Sequence, residues 1–272
     1  MTAVQFDWVI VPAGEFVMGS DPAQDPHAEP NELPQHRVHL PAYCLARTQV
    51  TVAQFAAFVA ATGYLTTAEQ QGFLWVYDGA TWTKTEWASW RQPRGPEDSV
   101  EDKAQHPVTG TSWYDSIAFC RWAGVRLPSE AEWEKGARGT DGRIYPWGNE
   151  PPAPERGNFG GSIGDTMPVG MYPKGASPYG IQDMAGNVRE WLQTQWGPYG
   201  DMPTFGYPYA ADDGREAMAA GEEICRGIRE GSMYSSVRGV RCAYRHANLP
   251  GHADNISGFR VAAMAADERA GK

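Results

Sequence analysis

The sequence lacks any apolar run of the roughly 20 residues that a helix needs to cross a bilayer. Its first residues, MTAVQFDWVIVPAGEF, contain no basic region followed by an apolar core and a small-residue cleavage site, so no secretory signal is predicted. Basic residues are also in deficit, since 23 Lys and Arg face 33 Asp and Glu for a net charge of -10. We therefore expect a cytoplasmic location, no insertion into membranes and no general binding of nucleic acid.

Cysteine is scarce as well, with Cys44, Cys120, Cys225 and Cys242 forming no CxxC pair. A chain of this length does not need disulfides to stabilise its core, so four free thiols are predicted. A Cys225–Cys242 bridge remains the alternative. The phosphate-binding patterns GxGxxG after a strand and GxxxxGK[ST] are both absent, which argues against a nucleotide-binding fold.

Glycine, proline and aromatic residues are plentiful, with 31 Gly, 21 Pro, 11 Trp and 12 Tyr. This composition is typical of an ordered globular chain, and 272 residues allow a single large domain spanning 1–272. Beyond Tyr145, glycine, proline and asparagine recur every few residues, so any strands there must be short. The predicted class is α+β, with few helices, short strands and many loops.

Three helices are predicted from their capping residues. Thr51 with Gln54 and Ser129 with Glu132 have the spacing of capping boxes, in which each side chain bonds the other residue's backbone N–H. A further helix is expected to begin near Ser112.

Strands are predicted nearer the N-terminus. Val9 and Val11 lie two residues apart, as do Phe16 and Met18 after a Pro-Ala-Gly turn, and this spacing predicts a strand pair around the turn. The Trp-rich stretch 72–90 has no helical period and is interpreted as irregular strands or an insertion.

Several segments, in order along the chain, resemble the formylglycine-generating enzyme (sulfatase-modifying factor) family. They are VPAGEFVMGS at 11–20, HPVTGTSWYDSIAFCRWAGVRLPSEAEWEKGARG at 106–139, YPWGNE, PVGMYPKGASPYGIQDMAGNVREW at 168–191 and GFRVA at 258–262. The resemblance covers nearly the whole chain and implies one domain with a C-type-lectin-like fold.

The resemblance does not extend to the family's oxidase chemistry. Oxidase members bind copper through two cysteines, five residues apart, that follow a Gly-Ser pair. Aligned on Gly231 and Ser232, those positions hold Ser235 and Val240 here. Serine is a poor ligand for soft copper(I) and valine is none, so copper is not expected. The alternative function is a copper oxidase or related enzyme that uses Cys242 or an unrecognised site.

The segment DMAGNVREW resembles the family's structural calcium site. The resemblance implies that the backbone carbonyls of Ala185, Gly186 and Val188 and the carboxylate of Glu190 would hold calcium, a hard cation that prefers oxygen ligands. The competing interpretation is that Glu190 pairs with an arginine inside a tight turn.

The C-terminal segment 234–259 contains no Lys, Glu, Gln, Met or Trp. In this it resembles the variable proteins of diversity-generating retroelements, whose C-terminal region is rewritten by mutagenesis of adenines, mainly in AAY codons. Such codons do not readily become those five residues. The resemblance implies a variable region at about 231–260, in which Arg241, Arg245 and Arg260 belong to a constant frame.

The residues between these frame positions are predicted to bind a ligand. Tyr, Ser, His, Asn and Arg combine rigid aromatic contact with adaptable hydrogen bonding, as antibody binding sites do. The predicted contacts are Tyr234, Ser235, Ser236, Arg238, Tyr244, His246, Asn248, His252, Asp254 and Asn255. The predicted function is non-catalytic binding of a protein or cell-surface ligand, and the chain would carry no catalytic residues. An ordinary non-catalytic family member, in which the frame only locks loops together, is the nearest alternative.

Overall fold

The helices begin and end where their capping residues stand. A computed structural model describes residues 4–200, 202–229 and 231–265. Within these ranges the helices are α1 (Val52–Thr62), α2 (Thr67–Gln71), α3 (Trp113–Ala123) and α4 (Glu130–Arg138). Each follows a Thr or Ser in a complete capping box and ends at a glycine. None of the described helices is long and apolar enough to span a bilayer.

Short strands form the rest of the regular structure. The strands are β1 (Trp8–Val11), β2 (Gly14–Met18), β3 (His36–Leu40), β4 (Tyr43–Ala46), β5 (Phe73–Tyr77), β6 (Trp82–Glu86), β7 (Arg189–Pro198), β8 (Ile224–Arg229), β9 (Arg245–Asn248), β10 (Ser257–Gly258) and β11 (Ala262–Met264). They make sheets with the orders β1-β4-β11 and β10-β7-β8-β9, and two-stranded pairs β2-β3 and β5-β6. The predicted α+β class with few helices is confirmed.

The N-terminal strands exist, but they do not pair with each other as predicted. β1 is antiparallel to β4, whereas β2 is antiparallel to β3. Gly14 has a φ of +133°, and the chain crosses there from one sheet to the next. The prediction was wrong because alternation of apolar residues identifies the buried face of a strand, not its hydrogen-bonding partner.

Two apolar clusters lie on either side of the central strand β7. One packs Trp133 of α4 against the first four strands. The other is largely aromatic, with the ring of Phe119 at 6.0 Å from that of Phe55 and at 5.3 Å from that of Phe259. These clusters hold the sheet that carries the C-terminal segment in place.

The stretch 72–90 folds into the β5-β6 hairpin, which the C-terminal segment anchors. The side-chain oxygen of Asn255 accepts a hydrogen bond from the backbone N–H of Tyr77 at 2.8 Å, and its amide donates to the Tyr77 carbonyl at 3.0 Å. The backbone N–H of Trp75 donates to the carbonyl of Ala253 at 3.2 Å. The hairpin is therefore fixed beside the segment that the sequence singles out for ligand binding.

A long irregular connection between β7 and β8 places Glu216 in the interior. One of its carboxylate oxygens accepts hydrogen bonds from the hydroxyls of Thr194 at 2.6 Å and Tyr209 at 2.8 Å. The other oxygen is buried and has no partner among the described residues. Burial raises the pKa of Glu216 to about 7, because a charged carboxylate loses its hydration there.

Glu216 therefore makes stability depend on pH. Its pKa is higher in the folded than in the unfolded chain, so the folded protein holds the extra proton and becomes less stable as pH rises from 4.5 to about 7. Glutamine has no charge to lose, so the Glu216→Gln variant should not share this loss of stability. We expect its free energy of unfolding, minus that of the parent, to increase by up to about 3 kcal/mol from about pH 5 to pH 8. Urea unfolding of both proteins across this range is the measurement. A difference that does not change with pH would contradict the assignment.

Candidate functional site

Arg241 ties the C-terminal segment to the polar loop near the N-terminus. Its guanidinium contacts both oxygens of Glu32 at 2.7 Å and one oxygen of Asp25 at 2.7 Å. Burial alone would lower the pKa of Arg241, but these two carboxylates outweigh it and the pKa is raised. All three side chains are buried, so the ion pairs join the polar, proline-rich loop 21–35 to the C-terminal segment inside the protein.

A second group of ion pairs joins the segment to α4. Arg245 makes a bidentate contact with Glu130, with both distances at 2.7 Å. Arg229 lies 2.8 Å from Glu134 and 3.2 Å from Glu130. Burial by itself would raise the pKa of Glu130, but Arg245 and Arg229 hold it below its ordinary value. The charges are fully paired, as buried ions must be.

The predicted frame arginines are structural. Arg245 lies over the ring of Tyr207 at 4.2 Å, and Arg260 makes a bidentate contact with Glu190 at 2.6 and 2.7 Å. Together with Arg241, these side chains are almost fully buried and point away from solvent. They fix the backbone from which the intervening residues project.

The predicted ligand contacts divide by exposure. Ser236 and Arg238 are exposed, while a further group is partly exposed, namely Tyr234, Tyr244, His246, Asn248 and His252. Ser235, Asp254 and Asn255 are buried, with Asp254 at 0% exposure.

These three buried residues have hydrogen bonds within the fold, and their contact with a ligand stays a prediction. Ser235 accepts a hydrogen bond from the backbone N–H of Ser232 at 3.0 Å. Asp254 accepts hydrogen bonds from the backbone N–H of Ile256 and the hydroxyl of Ser257, and Asn255 anchors the hairpin as described above. Their polar atoms are turned inward because buried backbone groups nearby need partners.

A groove on the surface collects several of the exposed residues. One part of it, of about 170 Å³, is lined by Glu29, Ser235, Ser236, Arg238, Gly239 and Tyr244. The adjoining part, of about 190 Å³, is lined by Glu29, Asn31, Trp196, Tyr199, Gly200, Tyr244, Arg245, His246 and Ala247. Because Glu29 and Tyr244 belong to both parts, we treat them as one feature, the Tyr244 groove.

The remaining predicted contacts lie outside the Tyr244 groove. The ring of Tyr234 packs at 5.3 Å from that of Tyr77, and its hydroxyl donates to the carbonyl of Gly164. The ring of His252 lies 6.4 Å from that of Trp82. The side-chain oxygen of Asn248 accepts a hydrogen bond from the next residue's backbone.

Sequence reasoning missed several groove residues. Glu29 comes from the polar N-terminal loop and pairs with Arg238 at 2.6 Å. Trp196 lies on β7 and Tyr199 just after it, the latter 73% exposed. The sequence carries no signal for these residues, because the proximity of the loop to the C-terminal segment depends on the buried Arg241 contacts.

A family model described as sulfatase-modifying factor enzyme 1-like domain matches residues 3–265. The chain belongs to this family. Formylglycine-generating enzyme of Mus musculus is 32% identical over 94% of this chain and 74% of its own length. The inactive C-alpha-formylglycine-generating enzyme 2 of Bos taurus is 31% identical over 94% of this chain and 88% of its own length.

Solved structures agree with this assignment of the fold. PvdO from Pseudomonas aeruginosa has a TM-score of 0.68 and 26% identity, covering 95% of this chain and 94% of its own. Treponema denticola variable protein 1 has a TM-score of 0.62 and 21% identity, with 97% of each chain covered. The second similarity shows a common fold only. The chain therefore has the fold of the sulfatase-modifying factor family. Treponema denticola variable protein 1 shares this fold.

The positions that hold copper-binding cysteines in oxidase members of the sulfatase-modifying factor family have other contacts here. Ser235 is committed to the hydrogen bond from Ser232, and Val240 packs with Tyr145 and Ala185 in a small apolar cluster. Burial raises the pKa of Cys242 to about 12, so its thiolate is disfavoured at neutral pH. All four cysteines are free, as the sequence analysis predicted.

In the segment that resembles the family's calcium site, Glu190 already has several hydrogen-bond partners. Its carboxylate accepts from Trp133 at 2.7 Å and from Gln49 at 3.0 Å, in addition to the paired guanidinium of Arg260. Gln49 also lies 3.4 Å from the carbonyl of Val188, another predicted ligand.

The backbone around Ala185 and Gly186, two of the other predicted ligands, is closely packed. Gly186 packs so closely on Asn158 that a Cβ there would lie 2.5 Å from the Asn158 carbonyl oxygen, and a Cβ on Gly157 would lie 2.4 Å from the Ala185 carbonyl oxygen. The Glu190 carboxylate is already hydrogen-bonded by Arg260, Trp133 and Gln49, so calcium there would have to replace one or more of these donors. Calcium binding through Ala185, Gly186, Val188 and Glu190 stays a prediction without structural support.

Replacing the buried Arg241 should destabilise the protein more than replacing Arg238, which lies in the same segment. Arg241→Met leaves the buried carboxylates of Asp25 and Glu32 without a counter-charge and should lower the free energy of unfolding by about 3–5 kcal/mol. Arg238→Met, the matched control, removes only an exposed ion pair with Glu29 and should change it by less than about 1 kcal/mol. Urea unfolding at neutral pH measures both. Equal losses in the two variants would show that the Arg241 contacts do not support the segment.

Proposed function

We propose that this family member is a non-catalytic ligand-binding protein that uses the Tyr244 groove, and that it is the variable protein of a diversity-generating retroelement. One observation carries the proposal. The segment that supplies copper ligands in oxidase members here lacks both cysteines, and several of its exposed side chains line one groove on a frame of buried ion pairs.

The groove has the chemistry of a protein-recognition surface. Tyr199 and Tyr244 supply broad, rigid contact area, and His246 and Ser236 supply adaptable hydrogen-bonding groups. In the Arg238–Glu29 ion pair the arginine is exposed and the glutamate is partly exposed, so a ligand can replace either partner at small cost. These properties support a protein or cell-surface ligand, and the chain's net charge of -10 argues against nucleic acid.

The frame also supports variation of the groove. Ser236, Val237 and Arg238 lie at an exposed turn, so most replacements there cost the fold little. The absence of Lys, Glu, Gln, Met and Trp from residues 234–259 agrees with diversification of AAY codons. Treponema denticola variable protein 1 has the same fold, which is compatible with such a role.

The neighbouring DNA tests the retroelement. We expect a near-copy of the codons for residues 231–260 that differs from them at adenines and lies beside a reverse-transcriptase gene. Sequencing the flanking DNA is the measurement. A near-copy with differences at other bases, or no near-copy, would remove the retroelement while leaving ligand binding by the groove to be judged separately.

Copper uptake distinguishes the binding protein from an oxidase. After reduction and incubation with copper(I), the desalted protein should retain no stoichiometric copper, because Ser235 and Val240 cannot supply thiolates and the pKa of Cys242 is raised to about 12. Metal analysis and thiolate-to-copper absorption are the readouts, and a Cys242→Ser variant is the control. One copper per chain, lost in that variant, would instead support the oxidase function through Cys242.

A further inference from the structure

The outer edge of β6 carries backbone groups that no described residue uses. β6 pairs with β5 alone in its sheet. The backbone N–H of Trp87 donates to the Gly72 carbonyl at 2.8 Å, just beyond the ends of the two strands. Along an antiparallel strand, the backbone N–H and C=O groups of successive residues point alternately toward and away from the neighbouring strand. The backbone groups of Thr83 and Thr85 therefore point toward β5.

The backbone N–H and C=O groups of Trp82, Lys84 and Glu86 therefore point outward from the hairpin. All three residues are exposed, and no hydrogen bond from the part of the chain that the structure describes reaches these groups. The strand thus presents a row of alternating donors and acceptors to solvent.

The opposite edge of the hairpin is closed by the C-terminal segment. Trp75 exchanges backbone hydrogen bonds with Ala253 and Asn255, each at 3.2 Å, and Asn255 uses its side chain to bond both backbone groups of Tyr77. Since the anchored edge fixes β5, the free edge of β6 is held in an extended conformation before any partner arrives. Such preorganisation lowers the entropic cost of binding.

The side chains beside this edge have a definite character. Trp82 is 42% exposed, and its ring packs at 4.9 Å from that of Tyr77 across the hairpin. The ammonium group of Lys84 lies 4.1 Å from the ring centre of Phe73. The face of the hairpin that carries Trp82, Lys84 and Glu86 is therefore aromatic at the Trp82 end, positively charged in the middle and negatively charged at the Glu86 end.

We propose that the β6 edge receives an extended segment of a partner protein as an additional strand. Strand addition uses free backbone groups for affinity and alternate side chains for selectivity. The segment that fits has an apolar side chain opposite Trp82 and an acidic side chain opposite Lys84. This surface is distinct from the Tyr244 groove and does not depend on the function proposed for it.

A second copy of the chain fits the same edge less well. A two-fold pairing centred on Lys84 would place this lysine opposite the lysine of the other copy, whereas a pairing centred on Thr85 would place Lys84 opposite Glu86. What disfavours a second copy is therefore the small area that the strand buries. A five-residue strand buries far less than the roughly 800 Å² per partner of a stable interface. This limit favours a peptide segment, which can continue its contacts over the neighbouring aromatic face.

Peptide selection on the whole protein tests the proposal. A display library of short random peptides is selected against the protein, and the recovered peptides are synthesised. Lys84→Pro removes the outward N–H, while the bonds of Thr83 and Thr85 to β5 remain, so proline is tolerated at this edge position. We expect this variant to bind the peptides at least about tenfold more weakly.

Two control variants separate the causes of any loss. Lys84→Ala keeps the backbone N–H and should lose only the preference for acidic peptides, with binding weakened about threefold or less. Tyr244→Ala should leave peptide binding unchanged, because the groove lies elsewhere. Slowed amide exchange of Trp82, Lys84 and Glu86 in the parent complex is a second readout that does not depend on any variant folding.

Several results would overturn the proposal. They are the failure to select any peptide, equal losses in Lys84→Pro and Lys84→Ala, and peptides that leave the exchange of the three amides unchanged. A dimer in sedimentation that Lys84→Pro abolishes would assign the edge to a second copy instead. Peptides lost in Tyr244→Ala but retained in Lys84→Pro would support the groove and reject the edge.

Discussion

Pairing of buried arginines with buried carboxylates is the constraint on which the C-terminal half depends. Arg241, Arg245 and Arg260 are each almost fully buried and each makes a bidentate contact with a glutamate. Removing charges from water is costly, so these contacts add little net stability compared with an apolar core. Their geometry is strict, however, because an unpaired partner would be strongly destabilising. They therefore specify where each loop lies.

The same contacts allow a segment of loops and short strands to carry a binding surface. Arg245 pairs with α4, Arg241 with the polar loop near the N-terminus and Arg260 with Glu190 of β7, all of them distant in sequence. The exposed residues between them contribute little to the core, so they can change with little effect on the fold. The scaffold is compatible with a catalytic or a binding role, and positions 235 and 240 hold serine and valine rather than cysteines.

The hairpin of β5 and β6 shows how a buried polar residue can shape a surface. Asn255 does not contact solvent, yet its amide fixes Tyr77 and thereby places Trp82 next to His252. One edge of the hairpin is satisfied by this anchoring and the other is left open. The buried Asn255 thus does not present its own side chain at the surface but positions Trp82, which the sequence analysis did not predict as a contact.

The sequence by itself determined the class, the family and most helix ends, because these depend on local chemistry. Capping residues such as Ser129 bond groups within one turn, and the five motif segments keep their order. α2 has the same box at Thr66 but is too short to show a helical period. The partners of β1, the burial of Glu32 and the inward turn of Asp254 were decided only by tertiary structure. Each depends on groups far away in the chain that meet when the backbone and its buried charges are satisfied.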